Sequence, residues 1–250
     1  MNALRPLVVF AGLLAAWQAV IWITGLPPFI LPPPLRVAAT LVERWDFLLA
    51  QAAITLLEMT LGLFAGAAFG ALCAIALAQV PPLRRWLLPL VIASQAVPIY
   101  AIAPLLVIWF GYGIASKVVA AALVIFFSVT STFYDGLTRT ERGFVDLARV
   151  MGATPWRLLV HVRVPAALPA LASGLRVAAV VAPIGAVIGE WVGAAAGLGF
   201  VMLHANARMQ TDLMFAALFI LAVVGVALYH AVDLVLRRLI PWQPVTLSQD

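Results

Sequence analysis

The sequence predicts an all-α, polytopic membrane protein of about six spanning helices, and three observations predict it. First, 65% of the 250 residues are hydrophobic and 10% are charged, where a soluble domain carries about 25% charged residues. No soluble fold of this length could hide so much apolar surface. Second, apolar runs recur from residue 6 to residue 239 with no polar domain between them, and a spanning helix needs about 20 such residues. The chain 1–250 therefore reads as one transmembrane domain. Third, the charges behind the net +5 sit at the ends of apolar runs. That placement suits a membrane surface and not a nucleic-acid face.

The expected spans are roughly 6–24, 51–79, 86–110, 117–137, 171–193 and 212–236. The first follows Arg5 and could imitate a signal peptide, but it is long for one and lacks a clear small-residue cleavage site before Pro28. It is expected to be retained. The second is long enough to tilt or protrude. Between the first two, Pro27, Pro28, Pro32, Pro33 and Pro34 enforce extended backbone. Leu35 to Leu49 then reads as a short helix on the membrane interface, with Val37, Leu41, Val42, Trp45, Leu48 and Leu49 on one side.

Six spans put both termini on one side, and the excess of basic residues names that side as cytoplasmic. Arg5, Arg84, Arg85, Arg139, Arg142, Arg149, Arg157, Arg163, Arg176, Arg237 and Arg238 fall on one set of loops and ends. Only Arg36, Arg44, Lys117 and Arg208 fall on the other. The expected location is a bacterial inner membrane with both termini inside.

Two spans carry glycines at four-residue intervals, namely Gly62, Gly66 and Gly70, then Gly185, Gly189 and Gly193, with Gly197 beyond. Such stripes let another helix approach closely, in this chain or in a partner. The third span is interrupted by Pro89, Pro98 and Pro104 and must bend or unwind. Irregular backbone at membrane depth is tolerated where it is buried or lines a cavity. Ser94 and Gln95 beside Pro98 are therefore candidates for the lining of a path, or else polar groups bonded inside a kinked helix. Pro183 and Glu190 mark the fifth span, and Glu58 the second. A charge at membrane depth usually faces a cavity or a partner, although Glu190 near the end of its span could reach water. Tyr100, Trp109, Trp191 and Asn206 complete an aromatic and polar candidate path for a small heteroaromatic solute. Trp and Tyr also gather at interfaces for no such reason.

The stretch 138–170 is long, basic and not spanning. Thr140 to Met151 is expected as a helix with Glu141 near its start and Gly152 as its stop. Thr154 and Pro155 read as cap and first residue of a second short helix running to about Val164, and Pro165 and Pro169 punctuate the approach to the next span. A helix–glycine–helix element between two spans suits docking on a soluble partner. Its five arginines would equally suit anionic lipid.

A resemblance separates these alternatives. Asp146, Ala148 and Gly152, with Val164-Pro165 thirteen residues beyond the glycine, resemble the "EAA" loop of ABC importer permeases, with Leu147 departing from the first alanine of that pattern. The resemblance implies the type I importer fold and a coupling loop built around Asp146, Ala148, Arg149, Gly152, Ala153, Pro155, Trp156 and Pro165. It further implies two copies of an ATPase subunit docked there, a second permease copy forming a homodimer, and a solute-binding protein delivering from outside. ATP and magnesium would belong to the ATPase, with no cofactor in this chain. Ser94-Gln-Ala-Val-Pro98, Gly174-Leu-Arg176 and Gly197-Leu-Gly199 look like the branch importing sulfonates, taurine, nitrate and thiamine precursors. The stretches around Pro183–Gly193 and Leu203–Asp212 look closest to permeases for hydroxymethylpyrimidine.

Other classes fit less well. No phosphate-cradling loop is present: Gly111-Tyr-Gly113 has no following Lys-Ser/Thr. His161, His204 and His230 have no metal-ligand spacing, and the one cysteine, Cys73, can form no disulfide within the chain. A secondary transporter would be expected to show an internal repeat or more membrane acids, and a membrane-embedded enzyme would need a catalytic constellation. Neither is visible in the sequence.

Overall fold

The computed structural model describes residues 4–242, with side chains from Val8 onward; the charge of Arg5 and both chain ends fall outside the described atoms. The elements in chain order are α1 (Leu4–Thr24), α2 (Pro34–Glu43), α3 (Trp45–Gln79), α4 (Pro81–Ala93), α5 (Ile99–Phe110) and α6 (Ile114–Thr138). Then come α7 (Arg142–Val150), α8 (Pro155–Leu158), α9 (Val164–Gly193), α10 (Leu198–Ala207) and α11 (Thr211–Leu239). A 3₁₀ turn, Ser94–Ala96, follows α4, and a π-helical stretch, Leu159–Arg163, joins α8 to α9. Among the described residues there is no strand.

Among the described residues, four continuous helices are long and apolar enough to cross a membrane: α3, α6, the unbroken run Pro155–Gly193, and α11. The expected second, fourth, fifth and sixth spans are therefore present, and α3 begins six residues early. The expected third span is broken, as its prolines required. It is two helices, α4 and α5, bent by 103° at the break before Ile99. Pro98 lacks an N–H and drives Val97 into extended backbone (φ −89°, ψ 116°). The described apolar part of α1, Val8–Thr24, is shorter than a full crossing, so the count of six is approximate.

Three expectations are corrected. The interfacial helix ends at Glu43, because Arg44 leaves helical geometry, and Trp45, Leu48 and Leu49 belong to α3. Pro165 and Pro169 do not punctuate a loop; they lie inside the continuous helix that enters the membrane. The carbonyl four residues before Pro165 belongs to His161, within the π-helical stretch, where wider turns relieve the clash a proline makes with an α-helical turn. The segment after Gly197, expected as an outer loop, is the helix α10.

The packing centres on α6, held between α3 and α9. A methyl group on Gly62 would collide with Ala121 of α6, and one on Gly66 would come within 2.8 Å of the Ala122 carbonyl. From the other side, a methyl on Gly185 would lie 2.6 Å from the Ala121 Cα, and one on Gly189 would lie 2.9 Å from the Lys117 Cα. Gly62 and Gly185 thus bring α3 and α9 onto the same residue of α6, Ala121, in contacts within one chain. The main core joins Met59, Ile125, Ala182, Leu198 and Ala217 from five helices. A second cluster at the α7 end gathers Leu77, Phe133, Leu137 and Leu159. Two ion pairs tie α11 at its two ends: Arg36 with Asp212, 3.4 Å, and Arg176 with Asp233, 2.7 Å.

Candidate functional site

The docking loop is built from the capping chemistry its sequence encodes. α7 is shorter than expected, starting at Arg142 with Glu141 as its cap residue. It ends in a Schellman motif: Gly152 N–H donates to the Arg149 carbonyl and Ala153 N–H to the Ala148 carbonyl, both 2.9 Å. That closure needs Gly152 at φ +79°, a conformation that suits glycine. Thr154 Oγ1 then accepts from Arg157 N–H at 3.3 Å, capping α8 as expected, with Pro155 in its first turn. Leu158 and Leu159 are buried, and Leu159 sits in the cluster with α3 and α6. The loop is therefore anchored rigidly to the ends of two spans.

Its outward face is apolar and uncovered. Phe144, Leu147, Val150 and Met151 recur at three- and four-residue intervals, so they share one side of α7, and all are exposed, Val150 to 87%. Trp156 beside them is 67% exposed. Val145 points inward and is buried. Asp146 and Arg149 pair with each other at 3.4 Å on the exposed surface. Ala148 and Ala153 are half-buried and Pro165 is exposed. The sequence reading named Trp156 but missed Phe144, Val150 and Met151, although their spacing was available.

The second group of candidates is divided by the structure. Ser94, Gln95, Pro98 and Tyr100 come together at the break between α4 and α5 and are exposed. Ser94 Oγ donates to the Val91 carbonyl at 2.7 Å. Trp109 is exposed at the far end of α5, Trp191 near the end of α9, and Asn206 in the last turn of α10. Glu190 is apart from them, 1% exposed. Its Oε1 accepts from Thr55 Oγ1 at 2.6 Å, and its Oε2 accepts from the N–H groups of Gly199 and Phe200.

Sequence reasoning missed the cluster around Glu190. Gln51, Thr55 and Glu58 lie at i, i+4 and i+7, a spacing that places them on one side of α3. Gln51 Oε1 accepts from Gly197 N–H at 2.7 Å, and Thr55 Oγ1 accepts from Leu198 N–H at 2.8 Å. Glu58 is 2% exposed, and its Oε2 has no hydrogen-bond partner among the described residues. Lys117, expected in an outer loop, is buried instead. Its ammonium donates to the carbonyls of Tyr112, Gly113 and Gly193 at 2.8, 2.9 and 3.2 Å. Among the described residues, no group of three or more His, Cys, Asp or Glu side chains could hold a metal ion.

The comparisons with known proteins agree with this architecture. Residues 66–242 match the family described as "Binding-protein-dependent transport system inner membrane component". A probable ABC transporter permease protein of Haemophilus influenzae is 50% identical, over 95% of this chain and 97% of its own. The formylaminopyrimidine transport permease protein ThiX of Halalkalibacterium halodurans is 34% identical, over 97% of each chain. The riboflavin transport system permease protein RibX of Chloroflexus aurantiacus is 38% identical, over 92% of this chain and 87% of its own. The fold matches a chain of the MetNI methionine ABC transporter in an inward-facing conformation, with TM-score 0.68 and 20% identity, over 78% of this chain and 97% of that one. With the family matched across most of its length, and an importer-permease fold beneath it, this chain belongs to the inner-membrane permease subunits of binding-protein-dependent ABC importers, which are not enzymes and leave nucleotide to a separate ATPase.

Proposed function

We propose that this permease carries a small, uncharged heteroaromatic solute of the thiamine-pyrimidine type inward, driven by ATPase subunits docked on the α7–Gly152–α8 loop. The uncovered apolar face of Phe144, Leu147, Val150 and Trp156 carries the docking part of this reading. Exposed apolar side chains on an otherwise polar loop mark an interaction surface, and the burial of Leu158 and Leu159 gives that surface a firm link to α3 and α6. Closure of two ATPase subunits on ATP would carry the loop with them and rock the spans open outward. Hydrolysis would return them. The excess of arginine on this side makes it cytoplasmic, with both termini inside. A second copy of this chain and a solute-binding protein outside complete the assembly.

The substrate reading rests on the candidate path and on two relatives that transport heteroaromatic compounds. Gln95, Tyr100, Trp109, Trp191 and Asn206 offer stacking and hydrogen bonding with no fixed cation. The buried cation nearest them in the chain, Lys117, has its three donors taken up by carbonyls. A sulfonate would call for a free cation, so the same importer class with taurine or another sulfonate is the second reading.

The docking test is Gly152→Trp. A methyl at this position would meet nothing within 4 Å, so the membrane fold should survive, while the φ +79° turn and the docking surface are both disturbed. ATP-driven uptake should be lost and the ATPase should no longer co-purify. Unimpaired uptake in this variant would overturn the docking assignment. For the substrate, the purified cognate binding protein would be titrated with formylaminopyrimidine, riboflavin and taurine. Binding of taurine alone would replace the heteroaromatic reading with the sulfonate one.

A further inference from the structure

The N-terminus of α10 has no cap of its own. Gly197 supplies no side chain, and Pro or Ser/Thr capping residues are absent there. Its first amides would be left without acceptors in a buried place. Each is satisfied from another helix: Gly197 N–H by Gln51, Leu198 N–H by Thr55, and Gly199 and Phe200 N–H by Glu190. Every acceptor is a side chain of α3 or α9.

Hydrogen-bond bookkeeping assigns the protons. Thr55 Oγ1 accepts from Leu198 N–H, and of the two acceptors open to its own hydrogen, the Gln51 carbonyl at 3.3 Å and Glu190 Oε1 at 2.6 Å, the closer is Glu190. Glu190 therefore accepts on both oxygens, which is what an ionised carboxylate does. Helix N-termini favour such an anion. Glu58 lies on the same side of α3, 2% exposed, and its Oε2 has no hydrogen-bond partner among the described residues. An unpaired charge is costly to bury, so a carboxyl held there keeps its proton.

We propose that Glu190 is the positioning residue of α10, an ionised latch that fixes the helix to α3, and that Glu58, on the same side of α3, is a neutral acid. Glu190 acts on transport through the placement of α10 and not through contact with cargo. The glycines around it fit this role. A methyl on Gly197 would collide with the Glu190 carboxyl, and one on Gly199 would come within 2.8 Å of its Oε2. The Gly-Leu-Gly sequence is thus the imprint of the latch on α10.

The test uses the full transporter in lipid nanodiscs. Hydrogen exchange at the amides of residues 197–200 should rise about tenfold or more in Glu190→Ala, and less in Glu190→Gln, since a charge-assisted bond is worth more than a neutral one. Exchange in Glu58→Gln should stay near wild type, because the amide matches a neutral acid in size and charge. The infrared carbonyl stretch of a protonated carboxyl should be present in wild type and lost in Glu58→Gln. In uptake assays Glu190→Gln should lower the maximal rate with little change in the half-saturating solute concentration. Unchanged exchange in Glu190→Ala, or a carbonyl band that persists in Glu58→Gln, overturns the assignment. If no Glu190 variant assembles, the Glu58→Gln band and its exchange pattern decide alone.

Discussion

Lys117 and Gly197 show how much one position can carry in this chain. The Lys117 ammonium holds three carbonyls, one of them Gly193 at the end of α9, where the helix dipole favours a cation. Lys117→Met would leave these carbonyls without their donor. A buried polar group left unsatisfied costs about 1–3 kcal/mol, so a loss of at least that order is expected. A drop in the detergent melting temperature of the purified complex checks it; a variant as stable as wild type would show that the ammonium is not needed there. Gly197→Ala should also destabilise, for two reasons that add. Its φ of +111° is strained for any side chain, and the new methyl meets the Glu190 carboxyl. The strain alone is about 1–2 kcal/mol, and the same melting assay reads it. Neither role could be found from single positions. Lys117 looked like a loop charge because it follows the Gly111–Gly113 turn, and only the approach of α9 buries it.

At the scale of elements, the sequence disclosed most where the physics is local. The caps of α7 and α8 follow from Gly152, Thr154 and Pro155, since each acts within a few residues of itself. The four unbroken spans follow from hydropathy. The break at Pro98 was visible as a proline, but its 103° angle was not, because it depends on what α4 and α5 pack against. The glycine stripes were visible as spacing, whereas their shared partner needed the fold. Ala121 is the point where both converge, meeting Gly62 of α3 and Gly185 of α9. Ala121→Leu should therefore force α3 and α9 apart together. Overpacking of a tight contact costs about 1–3 kcal/mol, and two interfaces are strained at once. The expected outcome is poor membrane yield and a lowered melting temperature, with Gly143→Ala, on exposed α7, as an unaffected control. Equal yields for the two variants would mean that the glycine contacts are looser than described.

At the scale of the whole molecule, the chain alternates ends in an order that its loops make testable. α3 leaves the α2 end and reaches the cluster around Leu159, α6 follows the same course, and α9 returns to bring Glu190 beside α10. The α7–α8 loop and α10 therefore occupy opposite ends of the bundle, and the proposed orientation puts the α7–α8 end in the cytoplasm. That proposal rests on Arg139, Arg142, Arg149, Arg157 and Arg163, while Lys117, counted with the other side, is buried. Cys73 is the only cysteine in the chain, so a Cys73→Ser background admits single labelling sites. A cysteine replacing exposed Trp156 should react with a membrane-impermeant maleimide only in inverted vesicles. One replacing exposed Asn206 should react only in right-side-out cells or spheroplasts. The two must exchange reactivity when the membrane is inverted, because the single crossing between them, the span that ends at Gly193, leaves α7 and α10 on different faces. Labelling of both from the same side would break the assigned orientation, and with it the docking of an ATPase on the α7 face.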